Sequence, residues 1–393
     1  MLLHEFQAKE LFERFGIRVP RGRVAASVAE AERAAQRLGG DRWAIKAQVR
    51  ATDRRGVGGV RFSASPDGVA ATAELMLGQP LAARPGSLNT HPEPVKLVLV
   101  EQAFAILRQL YLALVLDRGA GGFVFLASRA GGEGIEYRLA NEPGLMSRFA
   151  VLIDDTGAAV ADFAAVARGL GLADEASVAV ADIAARMAKL AIELDATQVE
   201  INPLALTVAG DLVALDGKVV LDDNALFRHP VLSAFRDAVE REDGNPEELA
   251  ADERQLNYTR LDGEIGLVAN GAGLGLASLD LIVEAGGRPA NFMDVRTTAT
   301  SLDISYGLEQ LLGDPGVRAI LVNVHGGGMQ RCDTIAEGVL MAAGRASRRI
   351  PIVVRMAGNS AEFGIGRLKQ GGLDLVIADD MEQAARTAVA RSR

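Results

Sequence analysis

The sequence predicts an α/β protein in two parts, the second built on a parallel sheet, and three observations carry that prediction. From Glu264 to the C-terminus, short apolar runs alternate regularly with longer helical ones, the pattern of parallel strands joined by crossover helices. Those runs lack strict polar alternation, so helices must cover both faces of the sheet. Upstream, Arg241 to Arg254 is acidic, polar and broken by Gly244 and Pro246, the composition of an interdomain linker. A boundary near residue 240 therefore separates domains 1–240 and 241–393.

In the first domain, residues 5 to 15 read as a helix with Phe6, Leu11, Phe12 and Phe15 toward one side and Gly16 as its stop. Strand-like runs follow at Trp43 to Val49, Leu97 to Gln102, Leu110 to Leu116 and Phe123 to Ala127, with an Ala-rich helix at about 176 to 194. The second domain has strands at Glu264 to Ala269, Ala290 to Asp294, Arg318 to Val324, Pro351 to Met356 and Leu373 to Ala378. Helices at about 274–285, 302–312, 333–345 and 360–370 lie between them, and a last one ends the chain. Ligands of such sheets bind outside the carboxyl ends of the strands.

Composition narrows the function classes. With 393 residues, 49% hydrophobic and 24% charged, the chain has material for two to three soluble domains. A net charge of −9 argues against nucleic acid or an anionic membrane as the main partner. The single cysteine, Cys332, excludes an internal disulfide framework and a cysteine zinc site. The first ten residues carry acids and no long apolar core, and no later run is long enough to span a bilayer. A cytoplasmic enzyme is the expectation.

The most informative stretch is Gln198-Val-Glu-Ile-Asn-Pro203, followed by Asp211-Leu-Val-Ala-Leu-Asp-Gly-Lys218. On a strand, Glu200 and Asn202 share one face while Val199 and Ile201 take the other. Asp216 ends a second apolar run that can pair with the first across a turn near Gly210. Mg²⁺ typically takes one or two protein carboxylates and fills its remaining positions with water and phosphate. Glu200, Asn202 and Asp216 meet that demand; a solvated hairpin with ordinary turn residues fits the spacing equally well.

In the second domain three loops follow strands: Asn270-Gly-Ala-Gly-Leu274, Arg296-Thr-Thr-Ala-Thr300 and His325-Gly-Gly-Gly-Met-Gln-Arg331. Gly326, Gly327 and Gly328 can turn backbone N–H groups toward an anion, helped by the positive end of the next helix. The same glycines also suit a plain tight turn. The Gly-Ala-Gly at 271–273 lacks the full dinucleotide fingerprint. The four histidines, His4, His91, His229 and His325, show no triad or metal spacing, and a loop-positioning role suits His325 better than that of a base. Cys332 reads as a small buried residue.

Taken together, these residues resemble the β subunit of the ADP-forming acyl-CoA ligases, the family of succinate-CoA ligase and malate-CoA ligase. The resemblance runs over nearly the whole length, through His4-Glu-Phe-Gln-Ala-Lys-Glu-Leu11, Lys46-Ala-Gln-Val49, Val199-Glu-Ile-Asn-Pro203, Asp216-Gly-Lys218, Asn270-Gly-Ala-Gly273 and Arg331-Cys-Asp333. It implies an N-terminal ATP-grasp domain and a C-terminal flavodoxin-like CoA-ligase domain, paired with an α subunit. That partner is expected to supply most of the CoA site and a histidine that ATP phosphorylates. From there the phosphoryl group passes to a small dicarboxylic acid, and CoA displaces it from the acyl phosphate. By the same resemblance Lys46 and Arg54 meet the ATP phosphates, and Glu101 lies in the segment lining the adenine pocket. Asn202 and Asp216 hold Mg²⁺, with Glu200 beside the transfer region as a catalytic carboxylate. Asn270 and Gly326 to Gly328 receive the acid. Pro20 favours ATP over GTP.

Two departures stand out. Where the family usually reads His-Ala-Gly-Gly-Arg-Gly-Lys, this chain reads Arg50-Ala-Thr-Asp-Arg-Arg-Gly56, which brings the charge of Asp53 toward the triphosphate unless Arg54, Arg55 or Mg²⁺ offsets it; with Arg296, it leaves open a β-like regulatory or structural subunit with impaired nucleotide chemistry. Arg296-Thr297-Thr298 replaces a glycine triplet, and the His325 loop is one residue longer than usual. A guanidinium can grip a carboxylate bidentately, so Arg296 either recognises an acid other than succinate or faces solvent or the partner.

Overall fold

The computed structural model describes residues 1–49, 58–81, 93–172, 174–235 and 246–393, in two compact units, Met1–Glu242 and Asp243–Arg393. The predicted boundary near residue 240 lies outside the described residues.

Unit 1 opens with α1 (Glu5–Arg14). The Gln7 side chain accepts from the His4 N–H at 3.0 Å, and the chain turns off the helix at Gly16. A four-stranded antiparallel sheet follows in the order β1 (Gly22–Ala25), β6 (Val98–Gln102), β2 (Trp43–Ala47), β3 (Val60–Ser63). Its core includes Trp43, Ile45, Val98 and Val100. Two helices that the periodicity does not anticipate pack against it, α2 (Val28–Leu38) and α3 (Pro66–Glu74). Each starts on a serine, Ser27 or Ser65, whose side chain accepts from a first-turn N–H. Strands β4 (Pro80–Leu81) and β5 (Glu93–Pro94) form a separate ribbon.

The larger sheet of unit 1 is also antiparallel. It runs β10 (Ala159–Val160), β9 (Ser147–Ile153), β8 (Gly122–Ser128), β7 (Ile106–Asp117), β11 (Ala196–Thr207), β12 (Leu212–Ala214), and β13 (Gly217–Leu221) pairs with the first half of β11. Three helices accompany these strands: α4 (Ile135–Asn141), α5 (Phe163–Gly169) and α6 (Asp174–Glu193). Leu11 and Phe12 of α1, Val166 of α5 and Met187 and Leu190 of α6 are buried with Leu112, Leu114, Val199 and Ile201 of the sheet. The alternation on β11 is as expected: Val199 and Ile201 are fully buried, and Glu200 and Asn202 are half-buried.

Unit 2 begins with a correction. The expected linker contains a helix, α7 (Pro246–Glu253), because Pro246 suits a first helical position and Glu247 and Glu248 favour a helix N-terminus. Ala251 joins the core. The sheet is β14 (Leu256–Arg260), β16 (Asn291–Val295), β15 (Ile265–Ala269), β17 (Ala319–Gly326), β18 (Ile352–Gly358), β19 (Leu375–Ile377). Only β14, an edge strand absent from the sequence reading, is antiparallel to its neighbour.

The helices of unit 2 take the two faces of this sheet. α8 (Ala272–Glu284) and α12 (Met381–Ser392) bury Ile282, Ala385 and Val389 against Leu267, Leu321 and Val353. α9 (Ser301–Gly313), α10 (Cys332–Arg345) and α11 (Ala361–Gln370) bury Leu308, Val339 and Leu368 with Val268, Val322 and Val354. The strand order reverses between β15 and β17, so the crevice expected for ligands opens at their carboxyl ends, at Asn270 and His325. Among the described residues, no helix is long and apolar enough to cross a membrane.

Candidate functional site

The chemistry of unit 1 gathers where α1 meets β2 and β6. Ile45 of β2 and Val98 and Val100 of β6 face the core of the small sheet, so alternation sends Lys46 and Glu101 to its other face. That face is covered too: Lys46 is 7% exposed and Glu101 1%. Charges so deep need partners. Lys46 Nζ lies 2.7 Å from Glu5 Oε1 and 2.9 Å from Glu101 Oε2, and donates to the Leu215 carbonyl at 2.5 Å. Lys9, one turn along α1 from Glu5, meets the same groups: Glu5 Oε1 and the Leu215 carbonyl at 2.7 Å and Glu101 Oε1 at 2.5 Å. Burial works against the Lys46 charge, but the carboxylates of Glu101, Glu5 and Asp216 outweigh it and hold its pKa above the ordinary lysine value.

Leu215 leads into the predicted metal corner. The Asp216 carbonyl accepts from the Asn202 N–H at 3.2 Å, and the pairs Ile201–Gly217 and Leu204–Ala214 on either side make Asn202 and Asp216 cross-strand neighbours. Asn202 Oδ1 accepts from the Gly132 N–H at 2.6 Å, which leaves a second lone pair on that oxygen. The backbone there favours glycine, with φ at Gly132 of +88°. An amide oxygen and a carboxylate are hard donors, and the pair fits Mg²⁺ with water and phosphate completing its shell. Glu200 lies two residues back on β11, its Oε2 accepting from the Tyr111 hydroxyl at 3.1 Å and from Gln198 Nε2 at 2.9 Å.

The structure therefore brings Lys46, Glu101 and Asp216 together and sets Asn202 beside them. Arg54 and Asp53 lie outside the described residues. Sequence reasoning gave no role to Glu5, Lys9 or the Leu215 carbonyl. A signal for the first two existed: Glu5, Lys9 and Phe12 share one helical stripe, and charges continuing an apolar stripe are buried charges in want of partners.

The unit 2 loops are built differently. Asn270 trades both amide hydrogen bonds with the main chain of His325, Nδ2 to its carbonyl and Oδ1 from its N–H, each at 2.7 Å. This continues the β15–β17 ladder by one side chain. Asp294 accepts from the Gly271 N–H at 2.5 Å and from Asn257 Nδ2 at 3.0 Å. Gly326 passes so close to β18 that a Cβ would strike the Asn359 carbonyl at 2.3 Å, while Gly327 and Gly328 are open. The Gly327 N–H is bound inside the loop, to the Gln330 carbonyl at 2.8 Å. Arg296 donates from Nε to Asn257 Oδ1 at 2.8 Å and pairs through a terminal nitrogen with Asp252, so one edge of its guanidinium is already engaged. Cys332 is fully buried, its thiol donating to the Ala357 carbonyl at 3.2 Å, and burial pushes its pKa up.

The halves also match known families separately, an ATP-grasp domain over residues 2–206 and a CoA-ligase over residues 268–389. The chain is 42% identical to the succinate–CoA ligase [ADP-forming] β subunit of Anaeromyxobacter dehalogenans (strain 2CP-C) over 395 residues, covering 100% of both chains. It is 43% identical to the protein of the same name from Acidithiobacillus ferrooxidans (strain ATCC 53993 / BNL-5-31), again over 100% of both. The chain belongs to the succinate–CoA ligase [ADP-forming] β-subunit family. Members of this family thus share its whole length, the region between the two domain matches included. The ATP citrate lyase of Methanothrix soehngenii, solved with citrate and coenzyme A, superposes with a TM-score of 0.74 at 17% identity over 99% of each chain, a likeness of fold.

Proposed function

We propose that this chain is the nucleotide-binding β subunit of an ATP-dependent succinate–CoA ligase, acting with an α subunit that carries CoA and a phosphorylated histidine. The observation that supports it best is the full-length identity to subunits of that name, joined to a buried lysine beside a hard-oxygen pair. Lys46 and Arg54 would bind the ATP phosphates, Glu101, paired with Lys46, would lie in the segment lining the adenine pocket, and Asn202 and Asp216 would hold the Mg²⁺. The bound ion would screen phosphate charge and hold the phosphates in line for transfer. Glu200, fixed by Tyr111 and Gln198, would keep a carboxylate oriented beside the transfer region. In unit 2, Asn270 would fix the His325 loop so that Gly326, Gly327 and Gly328 frame the acid, with Arg296 at the margin. The phosphoryl group would pass from the partner's histidine to the acid, and CoA would displace it from the acyl phosphate.

A second reading, malate or another dicarboxylic acid, is favoured by one observation, Arg296-Thr297-Thr298 and the lengthened loop at the carboxyl ends of β16 and β17. One experiment tests both: coexpression with the α subunit, then CoA-dependent ADP release across a panel of acids. Succinate is expected to give the highest kcat/KM. A higher value with malate moves the proposal to the second reading, and no phosphorylation of the partner's histidine by ATP would sink both.

A further inference from the structure

The arginines at the strand ends of unit 2 differ in what they already hold. Arg331 forks onto Asp333 through Nε and a terminal nitrogen, at 3.0 and 2.5 Å, and Arg296 is engaged on one edge by Asn257 and Asp252. Arg355 of β18 is half-buried, makes no hydrogen bond or ion pair among the described residues, and has a buried Nε without a partner. Val353 packs with Leu321, Ile282 and Val389, and Arg355, two residues on, shares that face of the sheet. So does Asn323, its register partner on β17. Asn323 is 1% exposed; its Nδ2 donates to Ser278 Oγ of α8 at 2.8 Å, while its Oδ1 has no partner. Gln330, in the loop after β17, is buried with its Nε2 unpartnered. Among the described, non-exposed residues of unit 2, these three are the ones with a buried side-chain nitrogen or oxygen left unpaired, and all three belong to the carboxyl ends of β17 and β18 or the loop between β17 and α10. Folded proteins seldom leave such groups unpaired, and a cluster of them marks a place that something else completes. The Arg355 charge also opposes the rise in the Cys332 pKa, and the Cys332 sulfur sits against Gly326, so the guanidinium lies near the foot of the His325 loop.

We propose that Arg355 is an acid-binding residue whose guanidinium pairs with the carboxylate of the dicarboxylic acid that does not react. This rests on the reading that the acid lies at the Gly326 to Gly328 loop. One carboxylate of the substrate becomes the acyl phosphate and then the thioester. The other keeps its charge from binding to release and needs a constant counter-charge beside it. Backbone N–H groups of the loop carry only partial charges. Arg331 and Arg296 already have a carboxylate beside them; Arg355 has none among the described residues, so no ion pair has to be broken before it takes one. Its planar fork matches a carboxylate, and partial burial strengthens the pair over one in open water.

The test compares wild type, Arg355→Met and Arg355→Lys in the complex coexpressed with its α subunit. Arg355→Met should raise KM for the acid that the wild type prefers by about tenfold or more, the loss of a charge-assisted bidentate contact. KM for CoA should stay within about threefold, and ATP should phosphorylate the partner's histidine at the wild-type rate. Arg355→Lys keeps the charge without the fork and should fall between the two. Because Arg355→Met removes a half-buried cation that no described residue neutralises, the urea midpoint of the variant chain should equal or exceed that of wild type. A purely structural arginine gives the opposite, a lower midpoint with all kinetic constants impaired together, and that result overturns the inference. An unchanged KM for the acid overturns it as well: with weaker assembly it gives the cation to the partner subunit, and with slower histidine phosphorylation it gives it to phosphate. A wild-type complex inactive with every acid is a separate outcome, which removes the reading on which this proposal rests.

Discussion

The two candidate sites of this molecule solve the same problem with different materials. In unit 1 the working groups are charges drawn from α1, β2 and β6, each 7% exposed or less and each held by charges far away in sequence. In unit 2 they are loops at strand ends, held by an amide on a main chain and by half-exposed ion pairs. The first arrangement tolerates little change, because taking away one partner strands another charge in low dielectric. The second can vary its loop length and side chains while the ladder beneath stays intact, which is where a family would change its acid.

The sharpest break in that contrast is Glu101→Ala. It removes the carboxylate that meets both Lys9 and Lys46, and breaking a buried pair costs about 3–5 kcal/mol. Urea unfolding of the variant should show a loss of that size, with Mg·ADP binding lost as well. Because the pKa of Lys46 is raised on folding, its charge contributes fully below the unfolded lysine pKa and is lost only as pH rises past the folded one. Its contribution should therefore be flat between roughly pH 7 and 9. A deficit under about 1 kcal/mol would mean that the cluster is not the buried unit described.

A smaller effect is expected from Asn270→Ala. The variant leaves the His325 N–H and carbonyl without the Asn270 amide, at a cost of about 1–2 kcal/mol, limited because water can reach part of the site. Hydrogen exchange at the His325 amide should quicken while the rest of β17 keeps its protection. Exchange that quickens along the whole of β17 would show that Asn270 supports the sheet and not the loop alone.

Much of this was legible in the sequence, for physical reasons that differ by region. The β/α alternation after Glu264 is read directly because parallel strands buried on both faces are unbroken apolar runs. The faces of Glu200 and Asn202 followed from a two-residue period. The helix Pro246–Glu253 was missed because its acidic, proline-led start is also what a linker looks like. Lys9 and Glu5 were missed for a different reason: their meaning depends on Glu101 and the Leu215 carbonyl, 92 and 206 residues from Lys9, and no local pattern carries such a separation. The occupied amide of Asn270 was hidden likewise, since its partner is backbone.

Arg296→Ala is expected to have the smallest effect, and it is the most informative about the acid. Its ion pair joins side chains that are 35% and 67% exposed. Solvent screening leaves such a pair about 0–1 kcal/mol of stability, so the variant should unfold much as the wild type does. The kinetics carry the decision. If the guanidinium serves to tie the β16 loop to Asp252 and Asn257, KM for the preferred acid should change by less than about threefold. A bidentate grip on a carboxylate involves charge-assisted bonds worth about 1.5–3 kcal/mol, and losing it would raise KM by about tenfold or more. A rise of that size for one acid and not for others would make Arg296 the selector of that acid, and would place specificity in the loops of unit 2 while the buried charges of unit 1 stay common to the family.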